Sequence, residues 1–113
     1  MTGREPIPQG TLDLLVLSTL EQRPELHGFE ISEAIGRRSG DVLQVEEGSL
    51  YPALQRLAAK GWVTAEWKLS PTKRRARYYR LTAPGRKQLG LEASAFERAV
   101  EAITRVMQAA DVE

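Results

Sequence analysis

A basic stretch in the second half of the chain is the part of the sequence whose residue types could do chemistry. From Trp67 to Leu91 there are eight Lys or Arg residues and no Asp or Glu, whereas the whole chain has 16 basic and 15 acidic residues and a net charge of +1. The basic residues are Lys68, Lys73, Arg74, Arg75, Arg77, Arg80, Arg86 and Lys87. Because clustered cations attract polyanions, we expect one face of the protein to contact phosphate groups.

Candidates for catalysis or metal binding are few. The chain has one histidine, His27, and no cysteine, which excludes thiolate metal sites and disulfides. It also has no glycine-rich phosphate loop and no paired-carboxylate signature. We therefore predict no enzymatic activity, no metal and no cofactor. His27 precedes a helical segment, where we expect it to cap or pack.

Length and composition fit one small domain with an appended element. The 113 residues are 42% hydrophobic, and the longest strongly apolar run, Leu14 to Leu17, is much shorter than a membrane span of about 20 residues. The N-terminus has no apolar stretch behind a basic end, so no signal peptide is expected. We predict a cytoplasmic protein with no membrane partner, for which oligomerisation supplies extra stability.

Hydrophobic periodicity predicts two helices in the first part of the chain. Residues 11–21 have apolar side chains on most sides, so this helix is expected to be buried. A second helix follows His27-Gly28 and ends at Gly40. Its apolar residues are Phe29, Ile31, Ala34 and Ile35. The proline-containing residues 1–9 are interpreted as an arm.

A third helix is predicted from Gly48-Ser49 to about Lys60, capped by one of these two residues. Pro52 would then lie in the first turn, where the missing N–H costs little. Leu50, Leu54, Leu57 and Ala58 have the spacing of a buried face. The side chains left for another face are Ser49, Tyr51, Gln55, Arg56 and Ala59.

The basic stretch has the alternation of a β-hairpin. Residues 62–69 and 75–81 are predicted strands around the turn residues Ser70-Pro71-Thr72. The tip residues are Lys73, Arg74 and Arg75. Arg77 and Arg80 lie within the second strand, where one of them could instead stack on an aromatic ring or pair with an acid.

The last helix is predicted to start at Thr82 as N-cap, with Pro84 in its first turn. Five apolar residues in it have the spacing 4, 3, 4, 3 of a heptad seam. They are Phe96, Val100, Ile103, Met107 and Ala110. Because the seam is only about two heptads long, we expect a dimer with other contacts and not a free zipper. Leu89, Leu91 and Ala93 either begin the seam or dock the helix on the domain.

Three helices, a basic hairpin and a long helix follow the order of a winged helix-turn-helix module with a dimerisation helix. The expected fold class is therefore mainly α with a small β-hairpin. The expected division is an N-terminal arm at 1–9, a winged helix-turn-helix DNA-binding domain at 10–82 and a C-terminal dimerisation helix at 83–113.

Short motifs in this order resemble the PadR family of transcriptional regulators. The motifs are Gly10-x-Leu12-x-x-Leu15-x-Leu17-x-x-Leu20, His27-Gly28-Phe29-Glu30-Ile31, Glu47-Gly48-Ser49-Leu50-Tyr51-Pro52-Ala53-Leu54-x-x-Leu57, Gly61-Trp62-Val63, Trp67, Arg74-Arg75-Ala76-Arg77-Tyr78-Tyr79-x-Leu81-Thr82 and Gly85-Arg86-x-x-Leu89. Together they span roughly residues 10–90. Phe29 stands where the family more often has Tyr.

The resemblance implies a homodimeric DNA-binding repressor that binds an inverted repeat, with the third helix in the major groove and the wing over the phosphate backbone. Among the outward residues, Gln55 suits adenine and Arg56 suits guanine. The predicted contacts to double-stranded DNA are Ser49, Tyr51, Pro52, Gln55, Arg56, Lys73, Arg74, Arg75 and Arg77. Some short members bind planar drug-like effectors through an aromatic residue on the last helix, where this chain has Phe96 and no Trp.

Two other functions fit the same residues. A winged-helix interaction module could use the basic wing to bind an acidic protein partner. A nonspecific RNA-binding protein could use it as well, with little dependence on Gln55 and Arg56. Preference for an operator-like DNA sequence over shuffled DNA separates the first function from these two.

Overall fold

The computed structural model describes residues 5–8 and 10–108 as four helices and five strands. The helices are α1 (Leu12–Gln22), α2 (Gly28–Arg38), α3 (Glu47–Ala59) and α4 (Ala83–Met107). The strands are β1 (Glu5–Pro6), β2 (Leu26–His27), β3 (Leu43–Gln44), β4 (Val63–Leu69) and β5 (Arg75–Leu81). None of the helices in these residues combines the length and the hydrophobicity that a membrane span requires. The predicted class, mainly α with a small β-hairpin, is confirmed.

β5 is the central strand of a three-stranded antiparallel sheet, with β2 and β4 at its edges. The hairpin register pairs Val63 with Leu81 at the base and Leu69 with Arg75 at the tip. β2 pairs with the middle of β5 through Leu26. β1 and β3 form a separate parallel pair. The sequence predicted the hairpin but not β1, β2 or β3, because strands of two residues show no alternation.

The core is built around α1, which contacts α2, α3, α4 and β5. Its buried residues are Val16, Leu17, Leu20, Leu26, Ile31, Ile35, Leu50, Leu54, Leu57, Val63, Tyr79 and Leu89. Tyr79 brings a phenol into this core, and burial raises the pKa of Tyr79, so its hydroxyl stays neutral. The core therefore ties the base of the hairpin to the three-helix unit.

His27 and Glu30 cap the N-terminus of α2. The Glu30 N–H donates to His27 Nδ1 (3.3 Å) and the His27 N–H donates to Glu30 Oε1 (3.1 Å), a reciprocal capping box. The expected capping role of His27 is confirmed. Of the apolar residues of α2, Ile31, Ala34 and Ile35 are buried, whereas Phe29 is 62% exposed. The reason is that a residue two positions before Ile31 lies on the opposite side of the helix.

α3 begins earlier than the sequence indicated. Its first residue is Glu47, and the N-cap is Glu46, whose side chain makes no capping bond, so the prediction of a cap at Gly48 or Ser49 is wrong. Pro52 therefore lies in the second turn and not in the first. Because Gly48 and Pro52 are both exposed, water can reach the Gly48 carbonyl that lacks a proline N–H.

The start of α4 packs directly on the end of α3. Gly61 has a φ of +78°, as a helix C-terminus requires. The Thr82 hydroxyl donates to the Gly61 carbonyl (2.7 Å) and accepts from the Gly85 N–H (3.0 Å), which confirms the predicted cap. Pro84 lies in the first turn, as predicted. A Cβ on Gly85 would overlap the Trp62 carbonyl, so this contact requires glycine.

Candidate nucleic-acid interface

We call β4, β5 and the turn at residues 70–74 the wing. Cross-strand pairing divides its side chains between two faces. The inner face has Val63, Ala65, Trp67, Leu69, Arg75, Arg77, Tyr79 and Leu81, and the outer face has Thr64, Glu66, Lys68, Ala76, Tyr78 and Arg80. The base of the inner face is buried at Val63 and Tyr79, while its tip is exposed at Leu69 and Arg75. The exposed tip is available to a ligand.

Trp67 contacts two of the cations of the inner face. Its side chain is 55% exposed. The guanidinium carbon of Arg75 lies 5.1 Å from the centre of the ring and that of Arg77 lies 5.9 Å from it. Stacking on a ring leaves the N–H groups of a guanidinium available to an anion. The sequence alternative that a strand arginine stacks on an aromatic ring is confirmed at Arg77.

The tip of the wing holds two further cations. The turn is closed by bonds from Lys73 N–H to the Ser70 carbonyl (2.8 Å) and from Ser70 N–H to the Arg74 carbonyl (2.8 Å). Lys73 has a φ of +65°, which is uncommon for a residue with a side chain. Lys73 and Arg74 are exposed and form no ion pair within the described residues.

A cavity of about 610 Å³ lies between the wing and the start of α2. Its lining residues are His27, Gly28, Phe29, Tyr51, Trp67, Ser70, Thr72, Arg74, Arg75, Ala76 and Arg77. We call this cavity the wing groove. It combines three arginines with three exposed aromatic residues and contains no carboxylate, so it suits a phosphate with its sugar.

Tyr51 joins α3 to the wing groove. Its ring packs on Gly28 so closely that a Cβ on that glycine would lie 2.9 Å from Tyr51 Cε1. Tyr51 remains 45% exposed. The structure therefore gives Tyr51 a packing contact and leaves it at the surface of the groove, beside the predicted contacts Arg74, Arg75 and Arg77.

The remaining predicted contacts on α3 are spread over its exposed side. Ser49, Pro52 and Gln55 are exposed, whereas Ala53 and the predicted Leu50, Leu54 and Leu57 are buried. Arg56 is held on the flank that faces α1, where its Nη2 lies 2.8 Å from Oδ1 of Asp13. Arg56 is thus the one α3 residue of the predicted set that the structure pairs with an acid.

The outer face of the wing is partly neutralised by Glu25, which precedes β2. Lys68 Nζ lies 2.6 Å from Glu25 Oε1, and Arg80 Nε lies 3.3 Å from Glu25 Oε2. The hydrogen bond from Lys68, together with that from Arg80, holds the pKa of Glu25 below its ordinary value against a smaller desolvation effect. The sequence alternative that a strand arginine pairs with an acid is confirmed at Arg80.

The predicted seam of α4 is exposed along the described part of the helix. Phe96, Val100, Ile103 and Met107 are between 42% and 77% exposed, and Ala110 lies outside the described residues. Leu89 is buried in the core and Leu91 is exposed. Leu89 therefore docks the helix on the domain and does not begin the seam. The apolar row beyond Leu89 is not covered by any other residue in the described part of the chain.

A family model described as "Transcriptional regulator PadR-like family" matches residues 16–91, from the middle of α1 to the first part of α4. The chain belongs to the PadR-like family. The resemblance inferred from the motifs is therefore confirmed, and the protein is a member of a family of transcriptional regulators.

Solved structures of transcriptional regulators have the same fold. A transcriptional regulator from Clostridium thermocellum superposes with a TM-score of 0.77 and 29% identity over 86% of this chain and 93% of that one. Bacillus subtilis PadR in complex with operator DNA superposes with a TM-score of 0.63 and 26% identity over 74% of this chain and 46% of that one. The predicted winged-helix architecture is confirmed.

A curated relative from Lysinibacillus sphaericus, described as an uncharacterized protein, is 31% identical to this PadR-like chain over 86 residues. The match covers 76% of this chain and 78% of the relative. This relative is described without a function.

The sequence indicated the cations of this PadR-like wing, but not which of them stack on a ring and which pair with an acid. The register that places Trp67 opposite Arg77 follows from the hairpin turn, so this contact had a signal in the sequence. Glu25 had none, because it lies in a loop and its partners are more than forty residues away along the chain. Phe29 was named only as an apolar residue of the second helix, and no sequence signal indicated that it lines the wing groove.

Proposed function

We propose that this PadR-like protein is a homodimeric, sequence-specific DNA-binding repressor that acts on an inverted-repeat operator. The observation that carries the proposal is the wing groove beside the exposed side of α3, where Arg74, Arg75 and Arg77 converge without a carboxylate. Repression follows when the bound dimer occludes a promoter. The family relationship and the operator complex of Bacillus subtilis PadR support DNA as the polyanion.

In this proposal the wing binds phosphates. Lys73 and Arg74 at the tip are exposed and free of acidic partners among the described residues, and Arg75 and Arg77 are held in place by Trp67. Such contacts release condensed counterions, so affinity falls with salt and carries little sequence information. The wing thus fixes the position of α3 on the duplex.

Base reading belongs to α3. Gln55 lies on its exposed side and can bond to adenine through its amide, with Ser49 and Pro52 near the start of the helix. Arg56 reads a base only after leaving Asp13. This isolated exposed ion pair, unlike a network in which one carboxylate binds two cations, is worth about 0–1 kcal/mol, so a bidentate contact to guanine, worth about 1–3 kcal/mol, can replace it.

Dimerisation belongs to the exposed row of α4. A second copy would cover Phe96, Val100, Ile103 and Met107, because the same apolar row on both copies is self-complementary under twofold symmetry. Phe96 also lines two surface clefts, one with Val100 and one with Asp13 and Leu14 of α1. We place a small-molecule effector beside Phe96 for this reason.

Fluorescence anisotropy tests the proposal directly. The probe is duplex DNA from upstream of the protein's own gene, and the control is the same base composition in shuffled order. We expect a clear preference for the natural sequence, of at least about 1,000-fold at physiological salt. Equal affinity for both duplexes would contradict sequence-specific regulation and favour the alternative of a protein-interaction module with an acidic partner.

A further inference from the structure

The cations on the two faces of the wing have different partners. On the inner face, arginines are stacked on Trp67, and on the outer face Lys68 and Arg80 are bonded to Glu25. We propose that Glu25 is a positioning residue for DNA recognition: it neutralises the outer face of the wing and holds the wing against the domain, so that DNA is contacted by the inner face and tip alone. This inference rests on the proposed function of DNA binding.

A single carboxylate connects both strands of the wing to the loop between α1 and α2. Each oxygen of Glu25 has its own partner, since Oε1 accepts from Lys68 on β4 and Oε2 accepts from Arg80 on β5. Because Glu25 directly precedes β2, which pairs with β5, the ion pairs continue the backbone attachment of the wing. The wing is therefore fixed by side chains on its outer face, opposite the arginines that stack on Trp67.

Further contacts link this face to the start of α2. Lys68 Nζ lies 5.3 Å from the centre of the Tyr78 ring, and Tyr78 meets the His27 ring edge-on, with 5.2 Å between centres. His27 caps α2, and Tyr51 of α3 packs on the next residue, Gly28. The position of the wing is thereby related to that of α3 through contacts in the described structure.

The effect of this pairing on DNA binding can be measured through the salt dependence of affinity. A cation already paired with a carboxylate adds little to counterion release at a phosphate, whereas an unpaired one adds about 0.9 to the slope of log affinity against log salt. Within the described wing, Lys68 and Arg80 are paired and Lys73, Arg74, Arg75 and Arg77 have no acidic partner. Pairing by Glu25 therefore reserves phosphate binding for one side of the hairpin.

The test is Glu25→Gln, which keeps the side-chain shape and removes the charge. Binding to the upstream duplex and to a shuffled duplex is measured by anisotropy across a salt series. We expect tighter binding to the shuffled duplex and a slope steeper by up to about 0.9 for each freed cation. We also expect the ratio of specific to nonspecific affinity to fall roughly tenfold, the effect of one mismatched base pair in an operator.

Glu66→Gln is the matched control. Glu66 is on the same outer face, is exposed, makes the same change in net charge and forms no ion pair within the described residues. We expect it to leave the slope and the specificity ratio close to those of the unmodified protein. Equal effects of the two variants, or no effect of Glu25→Gln, would overturn the inference.

A second comparison does not depend on the folding of the Glu25 variant. Arg80→Gln is expected to leave the salt slope unchanged, and Arg74→Gln is expected to lower it by about 0.9. Equal reductions of the slope in both variants would overturn the inference while DNA binding stands. If the unmodified protein binds neither duplex at low salt, the proposed function itself fails, and the inference fails with it.

Discussion

Arg77 and Arg80 lie on opposite faces of β5 and contact different chemical groups. Arg77 stacks on the Trp67 ring, which leaves its N–H groups open to an anion. Arg80 donates to Glu25, which occupies part of its hydrogen-bonding capacity. In the proposed function, the same residue type on one strand therefore serves DNA binding at one position and attachment of the wing at another.

The two exposed cations of the tip give a testable prediction. Replacing Lys73 and Arg74 together by Ala should weaken binding to every duplex and lower the salt slope by about 0.9 for each phosphate that the variant no longer binds. Arg75 is left in place because its stacking on Trp67 would be disturbed as well. The measurement is anisotropy of upstream and shuffled duplexes between low and physiological salt.

The control for the tip variant removes the same charge elsewhere. Arg37 and Arg38 are at the end of α2, at the opposite end from the wing groove. Replacing both by Ala should leave the salt slope unchanged. A tip variant whose slope matches that of the unmodified protein would show that Lys73 and Arg74 do not bind phosphates.

At the scale of elements, the wing and α4 depend on one tight junction. The Thr82 hydroxyl bonds to Gly61 and to Gly85, and Gly85 packs on the Trp62 carbonyl. The contact of Gly85 with the Trp62 carbonyl is between backbone groups and cannot relax by a change of rotamer, so the direction in which α4 leaves the domain is well determined.

Gly85→Ala should destabilise the fold by about 1–3 kcal/mol, because the new Cβ overlaps the Trp62 carbonyl and the backbone must shift. Gly90→Ala is the matched control within α4, since a Cβ there has open space around it. It should stabilise the protein by up to about 1 kcal/mol through helix propensity. Urea denaturation midpoints decide between the two signs, and an increase in stability for both variants would contradict the close contact at Gly85.

The elements that the sequence predicted are those with a repeating pattern. Alternation predicted β4 and β5, and helical periodicity predicted α1 and α2 with ends close to those observed. The start of α3 was misplaced because Pro52 favoured a first-turn position that the fold does not use. β1, β2 and β3 are stabilised by partners distant in sequence, so no local pattern predicted them.

In the candidate site too, features with a local sequence pattern were predicted and contacts between distant residues were not. The tip cations were evident from composition, and the exposed side of α3 followed from the spacing of Leu50, Leu54 and Leu57. The pairing of Arg56 with Asp13 joins residues 43 positions apart, so no spacing rule could predict it. The residues that position the site were therefore harder to predict than the residues that compose it.

At the scale of the whole molecule, the proposed dimer depends on an apolar row that the described part of the protomer leaves uncovered. Ile103→Glu should prevent dimerisation, because it would bury a charge without a partner in the seam. Its own helix should persist, since the position is exposed in the protomer. Sedimentation is expected to give the monomer mass, with a large decrease in affinity for the inverted repeat.

Ala102→Glu is the control for this prediction, since Ala102 is exposed on the same helix and lies outside the heptad row. It should leave the sedimentation behaviour unchanged. If the Ile103 variant remains dimeric, the subunits meet through another surface.

The junction at Thr82 and Gly85 also determines the direction of α4, which acts as a long arm. A helix of 25 residues is about 38 Å long. A rotation of about 5° at its base moves its far end by about 3 Å, close to the axial rise of one base pair. Two such arms joined at their far ends would convert small angular differences at the Thr82 hydroxyl and Gly85 into different spacings between half-sites. Operator length could then diverge among related chains while every base-reading side chain stayed the same.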